Sequence, residues 1–305
     1  MSAENPNMME ESDAVDRLPT EEAFVPSGGR VKLFTSVHPV RSPQGVILLA
    51  HGLGEHSGRY GHVIHRLQER NLSVVRFDWR GHGRSEGKRG HAPNYRTLLD
   101  DLSLMFRRTR ERFPETPIIL MGHSLGGNIV ANWLLRRRDE AINVHGVVLS
   151  STWFTLTKQP PALKVFIVST LSRIFPRLMI PAGLRPKKLT RNPIAIAAYE
   201  NDTLVHKKAS VRLVTDAYYA GLWALEHAHE FTFPLLAVHG TADSVTNPAG
   251  TALFAERAPN STLILYEDYV HEPHNEPEWT IVVDDIGNWI SNLLAQQDAS
   301  PQCAR

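Results

Sequence analysis

The stretch Pro117-Ile118-Ile119-Leu120-Met121-Gly122-His123-Ser124-Leu125-Gly126-Gly127 decides how the rest of the chain is read. An apolar run ends at Met121, and beyond Gly127 the residues Ile129, Val130, Trp133 and Leu134 recur at helical spacing. Strand, G-x-S-x-G, helix predicts a nucleophile elbow, in which the serine hydroxyl stands above the end of a sheet. A turn that tight strains the backbone at the serine and leaves no room for side chains two residues before and two after it. Gly122 and Gly126 hold those places. The alternative is a glycine-rich turn with an idle serine; strand, helix and partner residues falling in the right order argue against it.

Working outward, residues 31–37 predict an early strand, 42–45 a turn, and 46–50 a strand apolar throughout, as burial on both sheet faces requires. His51-Gly52-Leu53-Gly54-Glu55-His56 follows, then a helix through Tyr60, Val63, Ile64 and Leu67. Residues 73–78 form the next expected strand, opening into a loop over 79–87, and a helix covers roughly 95–112. Downstream, 146–150, 234–238 and 261–266 read as strands, with a helix near 209–228. A closing helix places Val282, Ile286, Trp289, Ile290 and Leu293 on one face. Such alternation predicts an α/β fold with a mostly parallel, doubly wound sheet.

The alternation breaks at Ser151. Prolines 160, 161, 176, 181, 186 and 193 and an apolar stretch over 163–180 mark an inserted helical cap. The expected organisation is therefore a core of residues 23–152 and 206–297, a cap of 153–205, a disordered acidic arm of 1–22 and a flexible tail of 298–305.

Composition narrows the class. A chain of 305 residues, 42% hydrophobic and 21% charged, can bury a sizeable core without staples. Its net charge of +1 gives no global reason to expect nucleic acid as a partner. The single cysteine, Cys303, permits no intrachain disulfide, which fits a reducing compartment. The N-terminus has acidic residues and no apolar h-region, so it does not read as a signal peptide, and no run of 18 apolar residues occurs. The expected location is cytoplasmic, with a peripheral place on the inner membrane surface left open; oligomeric state is not legible.

A serine hydroxyl is a weak nucleophile. It needs a histidine to take its proton and an acid to orient that histidine. On a sheet with this elbow, acid and then histidine follow at the carboxyl ends of later strands. The strand over 234–238 delivers Asp243, and the strand over 261–266 delivers His271. Asp202 and Asp216 follow no strand, Glu267 and Asp268 are too near His271 in sequence, and His227, His229 and His239 are helical or still on a strand. For the oxyanion hole the expected donors are the backbone N–H groups of Leu125, next to the nucleophile, and Leu53, in the loop after residues 46–50.

Two near-misses exclude other chemistry. Residues 83–88 fail phosphate-loop spacing, and His271-Glu272-Pro273-His274 places its second histidine one residue early for a zinc helix. No metal and no cofactor are expected. The arginines over 107–112 and 136–138 read as solvated helix faces.

With these motifs in hand, the sequence resembles the monoacylglycerol lipase and lysophospholipase family of α/β hydrolases. The resemblance rests on the decapeptide beginning at His51, on Gly81-His82-Gly83-Arg84-Ser85, the elbow, Tyr199-Glu200-Asn201-Asp202, Gly240-Thr241-Ala242-Asp243 and residues 271–276. It runs from about residue 24 to 295 and implies Ser124, Asp243 and His271 as a triad. It further implies a polar pocket for the leaving alcohol, at Glu55, Arg59, Tyr60, Tyr199 and His274. Glu55 and Arg59 alone could equally be a salt bridge at a helix start. The family segment begun by Tyr199 usually ends Asp-Pro; here Thr203 follows Asp202.

Between Trp153 and Tyr199 there is no acid, and eight bases interleave with apolar residues. That composition fits an anionic lipid surface, or a helix packed on the core with its bases solvated. The leading expectation is a serine carboxylester hydrolase releasing fatty acid and glycerol from monoacylglycerol. Lysophospholipase is the alternative, and an aminopeptidase on the same fold is less favoured. Epoxide hydrolase or dehalogenase chemistry would place Asp where Ser124 stands, and a binding-only relative would show a broken triad.

Overall fold

The structure, a computed structural model, describes residues 15–299. Its sheet carries eight strands in the order β1-β2-β4-β3-β5-β6-β9-β10. They are β1 (Glu21–Ser27), β2 (Val31–His38), β3 (Gly45–Ala50), β4 (Leu72–Phe77), β5 (Ile118–His123), β6 (Val144–Ser150), β9 (Leu235–Gly240) and β10 (Ser261–Tyr266). The pairings from β4 through β10 are parallel, while β2 pairs antiparallel with both β1 and β4. The principal helices are α1 (Gly61–Gln68), α2 (Tyr95–Arg112), α3 (Leu125–Arg136), α7 (Val211–Glu226), α8 (Pro248–Arg257) and α9 (Trp279–Ala299). The expected strand–helix alternation and parallel sheet are thus present.

Every residue of β3, β5 and β9 is buried, because both faces of the sheet are covered. Successive side chains point to opposite faces. Ile47 and Leu49 therefore join Val63, Leu67, Ile286 and Ile290 of α1 and α9, whereas Val46, Leu48 and Ala50 join Leu102, Ile129, Val130 and Phe254 from α2, α3 and α8.

Between β6 and α7 lie α4 (Ala162–Ile174), β7 (Met179–Pro181), α5 (Pro186–Leu189), α6 (Pro193–Asn201) and β8 (Lys208–Ser210). A small β7–β8 ribbon, not expected from the sequence, closes this segment at its base.

The N-terminal expectation needs correcting. Of the acidic arm over 1–22, residues 1–14 lie outside the described residues, but Glu21 and Glu22 open strand β1. That strand lies exposed at the sheet edge and lacks apolar alternation, so its sequence hides it; register with β2 and ion pairs from Arg112 to Glu21 and Arg84 to Glu22 hold it. Behind it, Ser27 donates to Asp101 and the buried Arg80–Asp101 pair closes the contact. At the other end α9 continues through Ala299, so the expected tail over 298–305 begins within a helix and its remainder is outside the described residues.

Candidate active site

The strand order reverses between β3 and β5. In open parallel sheets, sites form in the crevice beyond the carboxyl ends of strands at such a point. Register pairs Ala50 with Gly122, so the loop after β3 and the elbow after β5 emerge side by side.

At the elbow Ser124 has φ 52° and ψ −113°, the strained left-handed backbone expected there. A Cβ at Gly122 would stand 2.7 Å from Gly127, and one at Gly126 would collide with the Ala50 and His51 carbonyls. The strain is held by surrounding bonds: Ser124 N–H donates to the Ser150 carbonyl (2.9 Å), and the Ser124 carbonyl accepts from Asn128 and Trp153.

The three distant side chains meet. His271 Nε2 is 3.0 Å from Ser124 Oγ, and His271 Nδ1 is 2.7 Å from Asp243 Oδ2. All three residues are buried. Because a carboxylate only accepts, Nδ1 carries the proton and the Nε2 lone pair faces the serine. Asp243 is held by more than its histidine. Its Oδ1 accepts from the N–H groups of Val245 and Thr246, and Oδ2 lies within hydrogen-bond reach of Thr246 Oγ1 (2.8 Å) and His239 Nε2 (3.0 Å).

Electrostatics follow from this packing. Burial opposes ionisation of Asp243, but the charge of His271 and the hydrogen bonds from His239 and His271 outweigh it and hold the carboxyl well below the usual range. Burial likewise works against charging His271, yet the charge and hydrogen bond of Asp243 prevail, and its pKa lies above the ordinary histidine value. Burial pushes neighbouring His123 well down and His274 down to about 3. Three imidazoles thus cluster, with ring centroids 5.0 Å apart for His123–His271 and 4.8 Å for His123–His274, and His271 alone readily takes a charge. Only neutral His271 can accept the serine proton. kcat/KM for a short p-nitrophenyl ester should therefore rise with pH through one inflection above about 6.5. A pH–rate profile checks this, and an inflection well below the ordinary histidine value would contradict it.

Neither the Leu53 nor the Leu125 N–H meets a protein acceptor among the described residues. Leu53 borders the space over Ser124, and Leu125 opens α3 directly after it. The loop carrying Leu53 is braced by Gly52 N–H donating to Glu55 Oε1 (2.6 Å) and by Trp79 Nε1 donating to the His51 carbonyl.

The five residues that the resemblance assigns to an alcohol pocket divide. Glu55 and Tyr199 line the space over Ser124, whereas Arg59, Tyr60 and His274 do not. Tyr60 donates to Glu55 (2.9 Å) and stacks on His274, with centroids 4.7 Å apart. Arg59 is clamped between carboxylates: Nη1 reaches Glu55 at 2.7 Å, and both terminal nitrogens reach Glu272 at 2.7 Å. Its guanidinium also lies 4.9 Å from the Tyr199 ring centroid. The salt bridge weighed from sequence is therefore present, extended by Glu272. Glu272 and Thr246 carry no separate signal in the sequence, and His239, set aside as a triad candidate because it is still on its strand, stands beside Asp243 instead. Glu272 adjoins the histidine in sequence, and only the fold brings Arg59 to it.

The segment between β6 and α7 covers the site. Leu184, Leu189 and Tyr199 border the space over Ser124, which encloses only about 10 Å³. Glu272 N–H donates to the Leu189 carbonyl, and Thr190 Oγ1 to the Asn275 carbonyl, tying this cover to the loop that carries His271. A separate, mainly apolar cavity of about 210 Å³ lies among Trp153, Leu156, Val165, Val168, Val214 and Tyr218. Asp202, the acid that precedes Thr203, lies with Oδ2 2.7 Å from His56 Nε2.

A strained serine elbow at the switch point of a doubly wound sheet, with histidine and acid in line, defines an α/β hydrolase of the serine ester hydrolase class. The chain belongs to the Hydrolase_4 family, described as "Serine aminopeptidase, S33", whose model matches residues 41–278. It is 32% identical over 278 residues to a monoacylglycerol lipase of Mycolicibacterium smegmatis, covering 90% of this chain and 98% of that one. Among solved structures it resembles a Paleococcus ferrophilus monoacylglycerol lipase, at 34% identity and TM-score 0.76, over 86% of this chain and 98% of the other. A soluble variant of monoglyceride lipase from Saccharomyces cerevisiae shares the fold at TM-score 0.81 and 21% identity, over 90% and 95% of the two chains. The resemblance read from the motifs is therefore upheld.

Proposed function

We propose that this hydrolase cleaves single-chain lipid esters, monoacylglycerol foremost, through an acyl-enzyme on Ser124. The observation that carries the reading is the hydrogen-bonded line from Asp243 through His271 to Ser124. Ser124 attacks the ester carbonyl as His271 takes its proton, and the Leu53 and Leu125 N–H groups receive the oxyanion. His271 returns the proton to the leaving glycerol, and water then cleaves the acyl-enzyme. The apolar cavity beginning at Trp153, whose N–H bonds the Ser124 carbonyl at 3.1 Å, suits the acyl chain. The tight space over Ser124 requires Leu184, Leu189 and Tyr199 to move aside as substrate enters, so residues 153–205 act as a lid.

The competing substrates meet chemical obstacles. The residues lining the space over Ser124 include neither Lys nor Arg, so a lysophospholipid phosphate finds no cation there. Glu55 and Glu272, which could hold a peptide's ammonium, are both engaged by Arg59. A side-by-side assay on monoacylglycerol, lysophosphatidylcholine and an aminoacyl anilide should rank them in that order, with monoacylglycerol at least about tenfold ahead in kcat/KM, a difference of roughly 1.4 kcal/mol. Faster turnover of the anilide would reverse the reading.

The lid also supports contact with a lipid surface. Leu163, Phe166, Ile167, Ile174 and Phe175 are 48–69% exposed, so while α4 packs on α7 through Val165 and Val168, a second apolar face of α4 and its C-terminal end lie open. Lys164, Arg173 and Arg177 are exposed beside them. Among the described residues no helix is long and apolar enough to cross a membrane, which leaves peripheral binding by area and charge. Co-sedimentation should be strong with vesicles containing anionic lipid and weaker with neutral ones; equal, negligible binding to both would remove this contact.

A further inference from the structure

Building on the triad reading above, we infer that His239 and Thr251 form a positioning pair for the reaction. His239 is a second histidine, locked in one tautomer, that donates to the same oxygen of Asp243 as His271 does. It thereby limits how strongly the acid pulls on the imidazole that serves Ser124.

The pair lies away from the reacting atoms. His239 stands near the carboxyl end of β9, with Nε2 3.0 Å from Asp243 Oδ2 and Nδ1 2.8 Å from Thr251 Oγ1 on α8. Both residues are completely buried, so no solvent competes for these bonds. A carboxylate can only accept, which places the His239 proton on Nε2. Nδ1 is then a bare acceptor, and the Thr251 hydroxyl must donate to it. One line of hydrogen bonds thus runs from Thr251 through His239 to Asp243, and a second from Asp243 through His271 to Ser124. The two lines share Oδ2.

Every donor on that carboxylate draws off negative charge, leaving less to stabilise a protonated His271. Facing His271 are Asp243, Glu272 and Glu55, which favour its charging, and His123 and His274, which oppose it. His239 faces Asp243 and His271, and burial keeps its own pKa below the ordinary value. It therefore acts on Asp243 as a fixed dipole, tuning the base through the acid.

Removing the His239 donor should make Asp243 pull harder on imidazolium and raise the pH at which His271 becomes a base. The experiment is the pH dependence of kcat/KM for p-nitrophenyl acetate in the full chain and in His239→Gln, His239→Phe, Thr251→Ser and Thr251→Val. His239→Phe, which removes the donor, should move the acid limb upward by roughly half a pH unit or more. Thr251→Val, which leaves Nδ1 unpaired and so makes the Nε2–H a weaker donor, should move it the same way by less. His239→Gln and Thr251→Ser, which keep an N–H and an O–H, should leave it near the wild-type position. A role confined to packing would lower the melting temperature of the Phe and Val variants without moving the limb, and that result overturns the inference. If His239→Phe does not fold, the Thr251 pair decides: coincident limbs for Ser and Val overturn it, and separated limbs uphold it. Wild-type activity that survives Ser124→Ala would sink the triad reading together with this one. An unmoved limb beside Ser124-dependent activity sinks this one alone.

Discussion

Ser124→Ala should leave a folded protein whose turnover of short p-nitrophenyl esters falls by about 10⁶, the scale on which loss of a triad nucleophile is measured. Folding should survive because the serine hydroxyl bonds only His271, while the bonds that hold the elbow run through the backbone of Ser124. Alanine meets the same positive φ that serine already tolerates, so the added strain is small. Steady-state rates and a thermal melt, taken together, separate the effects. Retained activity would place the nucleophile elsewhere, whereas lost activity with a collapsed melt would leave the chemistry unassigned.

Asp243→Asn should cost about 10⁴ in kcat, for a reason visible in the donors around the carboxyl. If the amide turns its NH₂ toward His271, the imidazole must protonate Nε2 and can no longer accept from Ser124. If it turns the carbonyl that way, its NH₂ faces the N–H groups of Val245 and Thr246, donor against donor. Either placement misaligns the base. Loss of the carboxylate charge also removes the main influence that raises the His271 pKa against burial. The acid limb of the residual activity should therefore move to lower pH. A residual rate within tenfold of wild type, or a limb that stays in place, would deny Asp243 its orienting role.

How much of this was legible beforehand depends on whether local chemistry or distant packing sets the feature. The elbow was legible because its steric demand falls on residues within the same turn. Asp243 and His271 were legible because parallel strands announce themselves as apolar runs, and their carboxyl ends all open on one edge of the sheet. The strand over 261–266 could be delimited from sequence even though β10 is an edge strand with Leu263 and Leu265 exposed.

Features made by long-range pairing were not legible. Strand β1 reads Glu-Glu-Ala-Phe-Val-Pro-Ser and has no apolar alternation of its own; β2, Arg84 and Arg112 make it a strand. Residues 179–181 and 208–210 pair across the whole of 182–207, and neither segment is long enough to carry a pattern. The alcohol pocket implied by resemblance was only partly placed. Composition cannot tell whether a carboxylate and a guanidinium face a substrate or each other, and here Glu272 draws Arg59 away from the space over Ser124.

The central claim is that Ser124 carries the acyl group between two half-reactions. The direct measurement is acid quench during turnover of a long-chain p-nitrophenyl ester, followed by peptide mass mapping. The account predicts that the peptide containing Ser124 gains the mass of the acyl chain, and that no other peptide does. Steady turnover with that peptide unmodified, or with the acyl group on another residue, would contradict it.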